Sequence, residues 1–89
     1  MALMEVGQMQ AEVLRLLKES PLTSEQVIHD VRELVSVGEV LLAFDLIVSW
    51  LYEDSLPISP QYYDELVAMA GELELDGWDV RLRELVRED

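Results

Sequence analysis

Apolar residues recur at intervals of three and four along most of this 89-residue chain, and short stop signals divide the pattern into segments. This spacing places the apolar side chains of each segment on one face of an α-helix. No segment alternates with the period of two that is typical of a half-buried strand. The pattern therefore predicts an all-α fold, a small up-and-down bundle of four helices plus a short fifth helix at the C-terminal end.

The stop signals predict where the helices begin and end. Ser20-Pro21 ends the first helix, because proline lacks an amide donor and biases its predecessor away from helical geometry. Thr23 and Gln26 have the spacing of a capping box, which predicts Thr23 as the N-cap of the second helix. Gly38 lies where a glycine past a helix end is favoured. Ser59-Pro60 predicts the start of the fourth helix, with serine at the N-cap.

The third predicted helix, residues 39–52, is apolar almost all round, which is typical of the central element of a bundle. Its one polar stripe consists of residues spaced four apart, namely Asp45, Ser49 and Glu53. Leu41, Leu42 and Tyr52 lie beside this stripe on the helical wheel. We expect intramolecular packing, for example by the last helix, to cover these three side chains. The alternative is that they are apolar contact residues beside an acidic stripe.

Charge is distributed unevenly along the chain. The sequence has 19 acidic and six basic residues and a net charge of −13, and residues 39–79 contain ten carboxylates without a lysine or arginine. This balance nearly excludes direct nucleic-acid binding, in which lysine and arginine neutralise phosphates, and it argues against anionic membrane surfaces. The partners that it favours are basic proteins, which a single-sign field attracts.

Two acidic groups in this stretch are candidate contacts for such a partner. One lies along and just after the third helix, and the other lies along the fourth. A charge run is often only a solvated face, but solubility requires no more than a modest excess of one sign. The predicted partner-binding residues are Asp45, Glu53, Asp54, Asp64, Glu65 and Glu72.

No motif predicts catalysis, a cofactor or a bound metal. The chain has no cysteine and His29 is its only histidine, so a zinc site or a nucleophilic relay lacks the necessary parts. Residues 72–77 resemble the start of a calcium-binding loop, but the position of the closing carboxylate is occupied by Arg83. We therefore predict that the protein is not an enzyme and has no catalytic, cofactor-binding or metal-binding residues.

The tripeptide Asp54-Ser55-Leu56 matches the one that carries the phosphopantetheine serine in acyl carrier proteins, which are also small, acidic and four-helical. In those proteins the serine opens a helix, whereas Pro57 and the start signal Ser59-Pro60 place Ser55 in a loop. An acyl-carrier-like protein modified on Ser55 is one alternative function. Another is a self-associating helical interaction domain, a homodimer formed through the apolar flank of the third helix.

A longer pattern covers roughly residues 30–76 and combines glycine, acidic and apolar positions in a fixed order. In chain order its features are Gly38-Glu39, Leu42-Ala43-Phe44-Asp45, Leu51-Tyr52-Glu53, Pro57-Ile58-Ser59, Tyr63 with Leu66, and Glu72-Leu73-Glu74-Leu75. This pattern resembles the MafI-like group of small immunity proteins from bacterial polymorphic toxin systems. The resemblance implies a protein that binds a cognate toxin and neutralises it by occlusion rather than by catalysis.

The sequence predicts neither a signal peptide nor a membrane-spanning segment. The first ten residues lack the basic and apolar regions of a signal peptide. The most apolar window, residues 40–52, is too short to span a bilayer. We therefore expect a single acidic helical domain over residues 1–89, located in the cytoplasm and acting on a toxin partner without nucleic acid or membrane.

Overall fold

The computed structural model describes residues 4–78 and 82–88, and within these ranges the protein is all-α. The described helices are α1 (Val6–Glu19), α2 (Glu25–Ser36), α3 (Val40–Glu53), α4 (Pro60–Glu72) and a 3₁₀ helix (Arg83–Leu85). The predicted fold class, four helices followed by a short C-terminal helical element, is confirmed. None of the described helices has the length and apolar character that crossing a bilayer requires.

Local chemistry explains two helix boundaries that were predicted correctly. At the end of α1, Ser20 adopts extended backbone geometry and its hydroxyl donates to the carbonyl of Leu17 at 2.7 Å. At the start of α4, the Oγ of Ser59 accepts a hydrogen bond from the amide of Tyr62 at 3.0 Å. Pro60 suits the first helical position because an amide there has no partner within the helix.

The predicted boundary of α2 is correct at its C-terminal end and wrong by one residue at its N-terminal end. Gly38 follows the helix with a φ of +83°, a left-handed conformation that glycine adopts without steric cost, as predicted. The prediction of Thr23 as the N-cap is wrong by one residue. Ser24 is the N-cap, and its Oγ accepts from the amide of Val27 at 3.3 Å. Serine caps more effectively than threonine, and Gln26 donates instead to Asp30 at 2.8 Å.

The hydrophobic core lies where the four helices meet. α1 packs against α2, α3 and α4, and α3 packs mainly against α2 and also against α1. Each of the four helices contributes buried apolar side chains to this core. The largest fully buried side chains are Phe44, Leu16, Ile47, Leu51, Leu66, Met69, Leu82, Val13 and Val31.

One face of α3 stays outside the core. Leu41, Leu42 and Tyr52 are 43%, 50% and 39% exposed, so the prediction that intramolecular packing covers them is wrong. On a helical wheel they project roughly 90° or more from the centre of the buried face. They are therefore apolar side chains beside the acidic stripe.

Backbone hydrogen bonds, rather than the packing of a full helix, attach the C-terminal segment to the bundle. Residues 79–81 lie outside the described part, and the predicted fifth helix is represented by one 3₁₀ turn with Leu85 buried. The amide of Ile58 donates to the carbonyl of Leu85 at 3.0 Å, and the amide of Arg87 donates to the carbonyl of Ile58 at 2.9 Å. These bonds hold the end of the chain against the loop that precedes α4.

Candidate functional site

A cleft of about 410 Å³ lies between α3 and the segment that follows α4; we call it the α3 cleft. Its buried lining residues are apolar, namely Phe44, Val48 and Leu82. Its exposed lining residues include three carboxylates, Asp45, Glu53 and Asp76. No lysine or arginine is among the described residues that line it. The cleft therefore combines an apolar interior with an acidic rim.

The chain reaches the far wall of the cleft through a sharp reversal after α4. Glu74 and Gly77 have φ values of +56° and +80°, and the glycine adopts such a value without strain. The reversal brings the indole of Trp78 edge-on against Phe44, with ring centroids 5.7 Å apart and an interplanar angle of 83°. Trp78 also lies 6.2 Å from the ring of Tyr63 on α4. These contacts with α3 and α4 fix the wall that faces the acidic stripe.

The exposed side of α3 forms the other wall of the α3 cleft and extends beyond the cleft along the helix. The i, i+4, i+8 spacing of the acidic stripe places all three of its side chains on the exposed side, as predicted. Apolar side chains flank the stripe on both sides. We call this surface the α3 face, and it consists of Leu41, Leu42, Asp45, Ser49, Tyr52 and Glu53.

The predicted residue Asp54 lies at the margin of this surface, where it caps the C-terminal end of α3 and is exposed. Ser55 follows with a φ of +49° and lines a shallow pocket together with Glu53 and Arg87. The guanidinium of Arg87 donates to the backbone carbonyls of Glu84 and Val86 at 2.7 and 2.9 Å. Ser55 is therefore located after one helix and five residues before the next, not at the helix start that a carrier serine occupies.

The second predicted acidic group, on α4, has a different environment. Arg15 of α1 pairs with Glu65 at 3.1 Å, and it also pairs with Glu12 and Glu19. Hydrogen bonds to Glu12 and Glu19, with a smaller contribution from Glu65, raise the pKa of Arg15 above its ordinary value. A cation fifty residues away in the sequence thus partly neutralises this surface.

The three α4 carboxylates also do not form one surface. Glu65 and Glu72 are half-buried and line a shallow pocket against α1 with Arg15. Asp64 is exposed and does not line that pocket. The structure therefore brings Glu65 and Glu72 together in one pocket and leaves Asp64 outside it.

A buried tyrosine adds to the contact between α1 and α4. The hydroxyl of Tyr62 donates to the carbonyl of Leu16 at 2.6 Å, one of the last four carbonyls of α1, which have no partner within the helix. Burial raises the pKa of Tyr62 above its ordinary value, and the nearby charges of Glu19 and Glu65 act in the same direction. This tyrosine stabilises the bundle and does not contribute to the α3 cleft.

The only histidine of the sequence lies on α2 and does not line the α3 cleft. His29 is exposed, and its ring nitrogens lie 3.6 Å from Asp30 and 3.3 Å from Glu33. Across residues 4–78 and 82–88, no cluster of three or more metal-ligating side chains could hold an ion. These contacts are those of a surface histidine between two carboxylates.

Asp45, Glu53 and Asp54 are candidate residues from the sequence alone, whereas the far wall of the cleft is not predicted from it. In the sequence, Asp76 is only one of ten carboxylates, and no motif marks Trp78 as part of a site. The turn at Gly77 was the available signal, since it predicts a chain reversal after α4. Which helix the reversed segment meets is not a local property.

No family model, no curated protein and no solved structure matches this chain. Its function is therefore inferred from the surface chemistry of the α3 cleft and the α3 face, together with the resemblance over residues 30–76.

Proposed function

We propose that this protein is an immunity protein that binds a basic bacterial toxin domain in the cytoplasm and neutralises it by occlusion. The observation that carries the proposal is the α3 face, on which exposed carboxylates alternate with exposed apolar side chains beside an apolar cleft. The resemblance to MafI-like immunity proteins supplies the class of partner. Occlusion requires only a complementary surface, so no catalytic group has to be assigned.

The physical chemistry of this surface suits a fast and tight inhibitor. A net charge of −13 produces a field that accelerates encounter with a basic protein. Charge alone gives little affinity after the charges lose their hydration, whereas apolar and aromatic side chains at the centre of an interface supply most of it. The α3 face offers both, because Leu41 and Leu42 lie on the same exposed side as Asp45.

The α3 carboxylates are better placed for this role than those of α4. Arg15 pairs with Glu65, and a basic partner would have to compete with that existing ion pair. No described cation lines the α3 cleft, and Asp45 and Glu53 are both exposed. We therefore assign the interface to Asp45, Glu53 and Asp54, with Asp64, Glu65 and Glu72 as a peripheral acidic surface.

The first experiment identifies the partner. Tagged protein is incubated at low salt with an extract of the source strain, bound proteins are eluted with a salt gradient, and the eluate is analysed by mass spectrometry. We expect one basic toxin domain, whose toxicity in a bacterial host is suppressed by co-expression of this protein. The proposal would be contradicted if co-expression reduced the toxicity of none of the recovered basic proteins.

The second experiment assigns the surface. The double variant Asp45→Lys/Glu53→Lys should slow association with the toxin at least tenfold, because it replaces attraction by repulsion at the interface. The matched control Asp64→Lys/Glu72→Lys changes the net charge equally and should slow association by about threefold or less, through the long-range field alone. Equal effects of the two variants would reject the α3 assignment.

Self-association is a second candidate, and the exposure of Leu41 and Leu42 favours it. Two copies would bring two acidic α3 faces together, and like charges oppose that contact. Any dimer should therefore form only at high salt, where charges are screened. Sedimentation velocity at 20 mM and 500 mM salt distinguishes the two candidates, since a toxin inhibitor is expected to be monomeric at low salt.

A further inference from the structure

We infer that the α3 face and the α3 cleft together receive one cationic amphipathic helix of the partner. This inference rests on the proposed function and names the part of the toxin that this protein holds. The surface is an exposed helix face beside an apolar groove, and both its length and its charge select the occupant.

The dimensions of the surface match a short helix. Leu41 and Glu53 are twelve residues apart on α3, which corresponds to about 18 Å at 1.5 Å per residue. A partner helix of about three turns covers that length and presents apolar residues at i, i+3, i+4 and i+7 along one side. Those residues would contact Leu41 and Leu42 at the N-terminal end of α3 and enter the cleft, whose α3 lining runs from Phe44 to Glu53.

The charge of the surface disfavours a neutral occupant and favours a basic one. Asp45, Glu53 and Asp76 border the apolar lining, so a helix that fills the groove brings its flanks against carboxylates. Lysine and arginine suit these flanks because their aliphatic stems cover apolar surface while their charged groups reach outward. An uncharged helix would leave the carboxylates without partners and desolvated at a cost.

A second copy of this chain does not offer the cationic amphipathic helix that the surface favours. The whole sequence has six basic residues, and Arg15, one of the two in α1, is held by three carboxylates. The basic residues Arg83 and Arg87 lie in and beside a 3₁₀ turn rather than on a long helix. No described helix of this protein therefore presents the cationic amphipathic face that the groove requires.

A pair of synthetic peptides tests the inference. The probe is a 14-residue, end-capped peptide with leucine at i, i+3, i+4, i+7 and i+11 and with arginine or lysine on both flanks. The control peptide has the same composition in scrambled order, so it has the same charge without the apolar stripe. Binding is measured by isothermal titration calorimetry and by the fluorescence of Trp78 in a Trp50→Phe background.

Two matched pairs of protein variants locate the binding site. We expect the scrambled peptide to bind at least fivefold more weakly, and Leu41→Ser to weaken binding of the probe by about fivefold. Asp45→Asn/Glu53→Gln should weaken it about tenfold at low salt, whereas Asp64→Asn/Glu72→Gln should change it less than twofold. Circular dichroism confirms that each variant keeps its helical content.

The outcomes separate this inference from the proposed function. Equal binding of the two peptides, equal effects of the two charge variants, or a salt-stable dimer that blocks the probe would overturn the inference. A toxin that is neutralised although neither Leu41→Ser nor the α3 charge variant weakens its binding would overturn it as well, while the proposed function stands. If the probe binds at the α3 face but no toxin domain is neutralised, the proposed function fails and the docking inference is retained.

Discussion

Asp45 on α3 and Glu65 on α4 both belong to the same 41-residue stretch without lysine or arginine, yet their environments differ. Glu65 is half-buried against α1 and pairs with Arg15 at 3.1 Å. Asp45 is exposed beside an apolar cleft that no described cation lines. The comparison shows that charge density along a sequence does not measure the charge that a partner meets, because helix packing can supply a cation from a distant segment.

The largest expected effect concerns the interior of the α3 cleft. Phe44 is fully buried and supports Trp78, so Phe44→Ala should lower the free energy of unfolding by about 3–4 kcal/mol. Urea denaturation followed by circular dichroism measures this change. The control Val67→Ala, at an exposed position of α4, should stay within about 0.5 kcal/mol of the parent protein. A loss below about 1 kcal/mol for Phe44→Ala would contradict the packing described for the cleft.

The second largest change in the free energy of unfolding is expected at the contact between α1 and α4. Tyr62→Phe removes the hydrogen bond to the carbonyl of Leu16 and should lower the free energy of unfolding by about 1–2 kcal/mol. The control is Ser49→Ala, which removes a hydroxyl from an exposed position. If both variants have the same stability, the buried hydroxyl is not a structural contact.

The pKa of Tyr62 gives the same contact a pH dependence. Burial raises that pKa in the folded state, whereas the unfolded tyrosine ionises near pH 10. The stabilising contribution is therefore complete below about pH 10 and is lost as the pH rises above it, because only the unfolded state releases the proton. Urea denaturation at pH 8, 10 and 11 should show a steeper loss for the parent protein than for Tyr62→Phe.

Removal of Arg15 should make the environments of the two acidic regions more alike. Arg15→Gln should lower the free energy of unfolding by about 1 kcal/mol, a modest value because the side chain is 38% exposed. Repulsion among the remaining carboxylates contributes to this loss, so 500 mM salt should reduce it. The same variant should increase the effect of Asp64→Lys/Glu72→Lys on association with the toxin. Arg32→Gln, at an exposed position of α2, serves as the control and should do neither.

The smallest expected effect on stability is at the α3 face itself. Leu41→Ser replaces a side chain that is largely outside the core, so the free energy of unfolding should change by less than about 0.5 kcal/mol. The same variant should weaken binding of the partner. A large loss of stability would show that Leu41 supports the fold, and it would remove the apolar part of the proposed interface.

Much of the fold could be predicted because its signals are local. Ser59-Pro60 and Gly38 determine helix ends through their own hydrogen bonding and backbone preferences, whatever the rest of the chain does. The error at Thr23 arose between two neighbouring residues that can both cap a helix. The predicted acidic residues of α3 are exposed as expected, since a spacing of four keeps them on one side of the helix.

The rest depended on which surfaces meet in three dimensions. Sequence alone determined the four helices, their apolar faces and the excess of negative charge. Only the tertiary structure decided that Leu41 stays exposed, that Trp78 closes a cleft against Phe44, and that Arg15 reaches Glu65. The physical reason is range: caps, prolines and helical period act over a few residues, whereas these contacts join segments from different helices and depend on how the whole core packs.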